Sequence, residues 1–122
     1  MKLVLVTGGA GFIGQNLCRT LLAKDIKVIA IDNFVTSNNK AVNALRKNNN
    51  FTFIKHDITK NFPKSIEAKK IDVIFNLACP TGVDNLLKLG EEMLFTSAVG
   101  TKNVMELARK IKSKVVFTSS SE

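Results

Sequence analysis

Val6-Thr7-Gly8-Gly9-Ala10-Gly11-Phe12-Ile13-Gly14 is the stretch that decides how this chain folds. Before it stands an apolar run, Leu3-Val4-Leu5-Val6, with the character of a buried strand. After it, Ile13, Leu17 and Leu21, with Cys18 and Leu22 beside them, recur at helical spacing. A second apolar run, Lys27–Asp32, ends on an acid eighteen residues past Gly14. The order is strand, glycine turn, helix, strand, acid.

That order builds an anion site. The start of a helix offers backbone N–H groups with no partner and the positive end of the helix dipole. A pyrophosphate reaches them only where the turn carries no side chains. Gly8 and Gly9 let the chain leave the strand sharply, Gly11 lets backbone approach phosphate, and Gly14 lets the helix lie close on the sheet. Gly8, Gly11, Phe12, Ile13 and Gly14 are therefore the expected pyrophosphate contacts. A carboxylate at Asp32, at the tip of the second strand, accepts from ribose hydroxyls and repels a 2′-phosphate, which favours NAD over NADP.

The rest of the chain repeats the alternation. Leu3–Val6 is the predicted first strand, Gly11–Ala23 the first helix and Lys27–Asp32 the second strand. Val28-Ile29-Ala30-Ile31 is continuous, as suits a parallel strand covered on both faces. Asn38–Lys47 reads as a short polar helix, Asn48-Asn49-Asn50 as a loop and Phe51–Lys55 as the third strand. A short helix is predicted around Pro63–Ala68 and the fourth strand over Asp72–Leu77. One long helix is predicted within Leu86–Ile111, with Leu94, Ala98, Met105 and Ala108 along one face, and Lys114–Thr118 is the fifth strand. Repeated strand–helix units predict a single α/β domain over residues 1–122. It is a Rossmann-like parallel sheet with helices on both faces, five strands in order 3-2-1-4-5, truncated after strand 5. The ligand belongs at the carboxyl ends, beside strand 1, where the order reverses.

Composition narrows the partners. The chain has 122 residues and 45% apolar content, enough for one core. No apolar run approaches the roughly 20 residues that span a bilayer, and the first residues read as a strand, so neither membrane nor signal peptide is expected and the location is expected to be cytoplasmic. The net charge is +8, but the lysines are scattered, with at most two adjacent, as at Lys69-Lys70. This reads as a solvated positive surface, with no nucleic-acid partner expected; part of the charge also suits a phosphate-bearing ligand. Cys18 and Cys79 lie far apart and read as buried, reduced thiols. His56 has no partner motif, and no metal site is expected.

Six segments taken together resemble a known family. They are Thr7–Gly14, then Asp32-Asn33-Phe34, Asp57-Ile58-Thr59, Asn76-Leu77-Ala78, Gly100-Thr101-Lys102-Asn103 and Ser119-Ser120-Ser121-Glu122. In order and spacing they resemble the extended short-chain dehydrogenases, the sugar-nucleotide epimerases, dehydratases and decarboxylases. Leu77-Ala78-Cys79-Pro80 and the closing Ser-Ser-Ser-Glu resemble the UDP-glucuronate decarboxylases most. After Pro80 the match stops: Thr81-Gly82-Val83-Asp84 stands where that subgroup continues Ala-Ser-Pro. Family members often carry His where Asn76 stands and Asn where Ser97 stands.

The resemblance implies roles. Asp32 and Asn33 would hold the adenosine ribose, Asp57 and Ile58 would flank the adenine, and Leu77 and Ala78 would line the cofactor, NAD. On the residues alone Asp57-Ile58-Thr59 reads equally as a strand-to-helix turn. Ser120 matches the family's catalytic Ser/Thr, with Ser121 beside it, and Glu122 matches an acid of the decarboxylases and dehydratases; a Ser cluster after a strand is otherwise a turn or cap element. The family's chemistry also needs a Tyr with a Lys four residues later, and this chain contains no Tyr. The expectation is an N-terminal part of such an enzyme, inactive alone, which meets a nucleotide sugar only when completed. The strand 5 edge and the helix within 86–111 would then be exposed for self-association or pairing. The alternative is a non-catalytic NAD-binding sensor or interaction module.

Overall fold

A computed structural model describes residues 2–119. Its elements in chain order are β1 (Leu3–Thr7), α1 (Phe12–Ala23), β2 (Lys27–Asp32), α2 (Asn39–Leu45), β3 (Phe51–Lys55), α3 (Lys64–Glu67) and β4 (Val73–Asn76). There follow α4 (Val83–Lys88), α5 (Gly90–Phe95), a π-helical turn (Thr96–Gly100), α6 (Thr101–Ile111) and β5 (Lys114–Phe117). All five strands are parallel, in the order β3-β2-β1-β4-β5, as the sequence predicts. β3 and β5 are the edges.

Alternation along the central strands makes two cores, because successive side chains point to opposite faces. Val4, Val6, Val28 and Ala30 join Cys18, Leu21 and Leu22 of α1 and Val42 and Leu45 of α2. Leu5, Ile29, Ile31 and Ile74 join Ile66 of α3 and Val104, Leu107 and Ala108 of α6. Continuous apolar runs are thus buried on both sides. Fully buried side chains such as Leu5, Ile31 and Ile74 each contribute about 1.5–3 kcal/mol. Burial pushes the Cys18 thiol up to about 12, so it stays protonated.

Three expectations are corrected. The long helix within Leu86–Ile111 is instead three helices and a π-helical turn, beginning at Val83 and interrupted at Leu89. Of the four residues expected on its inner face only Ala108 is buried, and Leu94, Ala98 and Met105 are exposed. Leu94 is 64% exposed and Met105 52%, while Thr96, Gly100, Val104, Leu107 and Ala108 are buried. The π-helical turn resets the helix phase so that a Thr and a Gly join the inner stripe, which an apolar count passes over. Gly100 packs closely there: a Cβ on it would lie 2.6 Å from Ile58 Cδ1, so the Ile58 side chain would have to shift.

In α1 the buried positions are Gly14, Cys18, Leu21 and Leu22, while Ile13 is 66% exposed and borders the cavity described below. Gly14 also serves a different contact from the one expected. A Cβ there would lie 2.1 Å from the Gly8 carbonyl, so it seats the helix on its own loop. Gly9 is the glycine that meets the sheet, 2.5 Å from Ala30 Cβ by the same construction.

Candidate functional site

Parallel β1, β2, β3 and β4 end together, and the loops after them surround a cavity of about 560 Å³. That volume suits a small organic ligand. The floor is the glycine turn. Gly8, at φ +70°, takes a conformation that other residues rarely adopt, and a Cβ on it would press on Ala78 and Leu77 at 3.0 Å. The Gly11 amide donates to Gly8 O at 3.1 Å, closing the turn, and Gln15 N makes the first bond into the helix, to Gly11 O at 2.9 Å. The amides of Phe12, Ile13 and Gly14 come before that bond and meet no acceptor among the described residues. Phe12, Ile13 and Gly14 all line the cavity. The α1 dipole adds partial positive charge at the same place.

Asp32 is tied to this loop. Its Oδ2 accepts from Ala10 N at 3.0 Å, and its Oδ1 accepts from Phe34 N at 2.9 Å and Ser37 Oγ at 3.1 Å. An ionised carboxylate offers about four lone-pair sites. Three bonds fix Asp32 at the cavity rim and leave room for a ligand hydroxyl. Asn33 lines the rim beside it, its Oδ1 accepting from Val35 N at 3.1 Å.

The far wall comes from β3 and β4. Asp57 and Ile58 both line the cavity. Asp57 Oδ1 accepts from Thr59 N at 2.9 Å and Thr59 Oγ1 at 2.7 Å, so its carboxylate also closes the turn after the strand. The turn reading of Asp57-Ile58-Thr59 is thus met, by a carboxylate that also borders the cavity. Ile58 is buried against Gly100. Leu77 and Ala78 line the cavity opposite the glycine turn. Of the expected site residues, all eleven cofactor positions therefore border one cavity. Ser120, Ser121 and Glu122 lie outside the described residues.

The structure adds residues that the sequence did not single out for the site. Thr7 Oγ1 donates to Asn76 Oδ1 at 2.6 Å and accepts from the amides of Leu77 and Ala78, both at 3.1 Å. This buried hydroxyl locks the end of β4 against β1 and sets the wall height. Thr7 belongs to the opening motif, yet only the β1–β4 pairing reveals its partner. Thr96, 9% exposed, lines the cavity, and its hydroxyl has no partner in the described chain. Its Cγ2 lies 3.7 Å from where a Cβ on Gly100 would stand.

Cys79 also departs from its expected surroundings. Cys79 is half-buried at the cavity, with Sγ 3.4 Å from Ser97 Oγ, rather than a core thiol. His56 lines the wall with its ring 5.3 Å from Phe62, and its buried Nε2 has no partner. Among the described residues no group of His, Cys, Asp and Glu is arranged to hold a metal.

One electrostatic expectation fails. The cavity lining contains no Lys or Arg. The surplus positive charge does not face this site, and an anion here would be met by main-chain amides and the α1 dipole alone.

A family model described as GDP-mannose 4,6 dehydratase matches residues 5–122. UDP-glucuronic acid decarboxylase 4 of Arabidopsis thaliana is 37% identical over 119 residues, 98% of this chain and 26% of that protein. UDP-N-acetyl-alpha-D-glucosaminuronate decarboxylase of Bacillus cytotoxicus is 35% identical over 121 residues, 99% of this chain and 37% of that protein. Among solved structures, an epimerase of Methanothermobacter thermautotrophicus superposes with a TM-score of 0.85 at 30% identity, covering 98% of this chain and 35% of the other. The UDP-glucose 4-epimerase of Thermus thermophilus, solved in complex with NAD, gives 0.80 at 26%, covering 97% and 37%. The chain thus spans only a quarter to two-fifths of the length of these relatives.

Proposed function

The chain belongs to the GDP-mannose 4,6 dehydratase family, and from that membership we propose that it binds NAD as the N-terminal part of a nucleotide-sugar enzyme of the UDP-glucuronate decarboxylase kind. The observation that carries this is the trio of free amides at Phe12, Ile13 and Gly14, in the same loop whose Ala10 amide is hydrogen-bonded to a fixed carboxylate at Asp32. The donor set fits the group: glycines that leave the backbone bare, amides for the diphosphate and an acceptor for the ribose.

Bound NAD would supply a reversible hydride acceptor for the sugar ring of the substrate. The residues of this chain bind and orient. The glycine turn fixes the diphosphate, Asp32 and Asn33 the adenosine ribose, and Asp57 and Ile58 the adenine. Leu77 and Ala78, held by Thr7, keep the cavity wall in register, and Thr96 offers a hydroxyl from the helical side. Ser120, Ser121 and Glu122 take the sugar end in this reading. The base implied by the resemblance is a Tyr, and the chain has none. The chain alone is therefore proposed to bind without turnover, as one part of a larger assembly. That same absence is the observation that favours the second reading, a non-catalytic NAD sensor.

Calorimetric titration with NAD tests the binding; no heat at millimolar NAD would overturn it. Incubation with UDP-glucuronate and NAD tests the inactivity, and UDP-xylose formed by the chain alone would refute it.

A further inference from the structure

The net charge of +8 has no work at the cavity, and the fold shows where much of it goes. In a parallel sheet every strand starts on the same side, opposite the ligand end. Main-chain hydrogen bonds tie these starts into one row: Lys27 N to Lys2 O at 3.0 Å, Asp72 N to Leu3 O at 2.9 Å and Lys114 N to Asp72 O at 3.1 Å. Lys2, Lys27 and Lys114 stand in that row, and all three are exposed. The turns that feed the row add Lys24 before β2 and Lys47 before β3. Lys69 and Lys70 precede β4, and Lys112 precedes β5. All are exposed, and none of the eight lysines is in an ion pair. The acids on this side are Asp25, Glu67 and Asp72; Glu67 is paired with Lys110 at 2.9 Å and Asp72 Oδ2 is engaged by Leu3 N at 2.9 Å. Scattered in the sequence, these lysines are collected by the topology into one face, on the far side of the sheet from the nucleotide cavity.

We propose that this face binds nucleic acid through its phosphodiester backbone, without reading sequence. Five strand starts at about 4.8 Å spacing give a charged row roughly 19 Å wide, and helix ends on both sides broaden it. Unpaired lysines on such a face release counterions from a polyanion and gain affinity that way. The chemistry distinguishes nucleic acid from a membrane. The exposed large apolar side chains lie elsewhere, at the cavity mouth (Phe12, Ile13), on α4 and α5 (Val83, Leu87, Leu94) and on β5 (Phe117). Of the apolar residues among the lysines, Leu45 and Ile71 are buried and Leu3, Ile26 and Ile111 are half-buried, so no large apolar side chain stands exposed there to insert into a bilayer. Phe51, the aromatic at this rim, is also buried, so no base stacks there. Phosphate contact alone remains.

The test is fluorescence anisotropy of the full chain with a mixed-sequence DNA duplex across a salt series. The expected Kd at physiological salt is on the order of 10⁻⁴ to 10⁻⁶ M, weakening steeply as salt rises. The variant K69Q/K70Q/K112Q/K114Q should lower the slope of log affinity against log salt by about 3 to 4, and K2Q/K27Q by about 2. The control variant K40Q/K55Q/K88Q, with lysines away from this face, should leave it unchanged. Circular dichroism and NAD titration of each variant establish that it is folded, and the NAD result stands or falls separately. No binding at the lowest salt, an equal loss of slope in the control, or tighter binding to phosphatidylserine vesicles than to the duplex would each overturn the proposal.

Discussion

The β1–α1–β2 unit and the α4–α5 arm are built from equally apolar sequence and end in opposite states. In the first, Val4, Leu5, Val6, Cys18, Leu22, Val28 and Ile31 are all buried, and the glycine turn is packed to its limit. In the second, neither helix has a buried residue; Val83 is 85% exposed and Leu87 93%. The difference lies in available partners. The strands find neighbours on both sides within a few dozen residues, whereas no described residue covers the outer face of the arm. The first region buries its apolar side chains; the second leaves a contiguous share of them in solvent.

The sharpest way to break this comparison is to fill the tight turn. Gly14→Val puts atoms where a Cβ alone would stand 2.1 Å from Gly8 O, and should cost more than about 3 kcal/mol in urea unfolding. A variant as stable as the parent would show that the turn is not packed as described. Thr7→Val should follow, at about 2–3 kcal/mol, because Asn76 and the Leu77 and Ala78 amides lose a buried partner. Thr7→Ser, which retains the hydroxyl, should recover most of it.

Alkaline unfolding sharpens the picture of the same core. The folded Cys18 thiol is held at about 12 against an ordinary 9.0. An acid whose folded pKa is raised stabilises fully below the lower value and loses that contribution as pH climbs to the higher. Stability should therefore fall by about 1.4 kcal/mol per pH unit between pH 9 and about 12, and Cys18→Ala should remove that slope. Asp32→Ala should weaken NAD at least tenfold by calorimetry, equivalent to about 1.4 kcal/mol, with a smaller loss of stability from the freed Ala10 amide. At the other end of the scale, Leu87→Ser on the arm should change monomer stability by less than about 0.5 kcal/mol. Its effect should show in sedimentation, as weaker self-association; a large loss of stability would mean that the arm is packed after all.

Much of the cavity lining was legible because its signals are local. Gly8, Gly11 and Gly14 lie within one turn of chain, and Asp32 follows at the end of an apolar strand, so spacing alone puts the acid near the loop. Thr96 was not legible, because the π-helical turn that aims it inward breaks the periodicity from which a helix face is read. The Thr7–Asn76 lock was not legible for a different reason. Its two halves are 69 residues apart and meet only through strand pairing. Charge was misplaced for the same reason: lysines distant in sequence share one rim once the strands are parallel.

The order of apolar runs, glycines and the acid carried the strand–helix alternation, the sheet order and the nucleotide loop, since each depends on contacts between residues close in sequence or on a handedness rule that admits few topologies. Which carbonyl each glycine must clear, where the helix after β4 breaks, which hydroxyls face the cavity and where the positive charge gathers were decided in three dimensions. Those features depend on distances between segments, and segments remote in the chain acquire a distance only when the sheet closes.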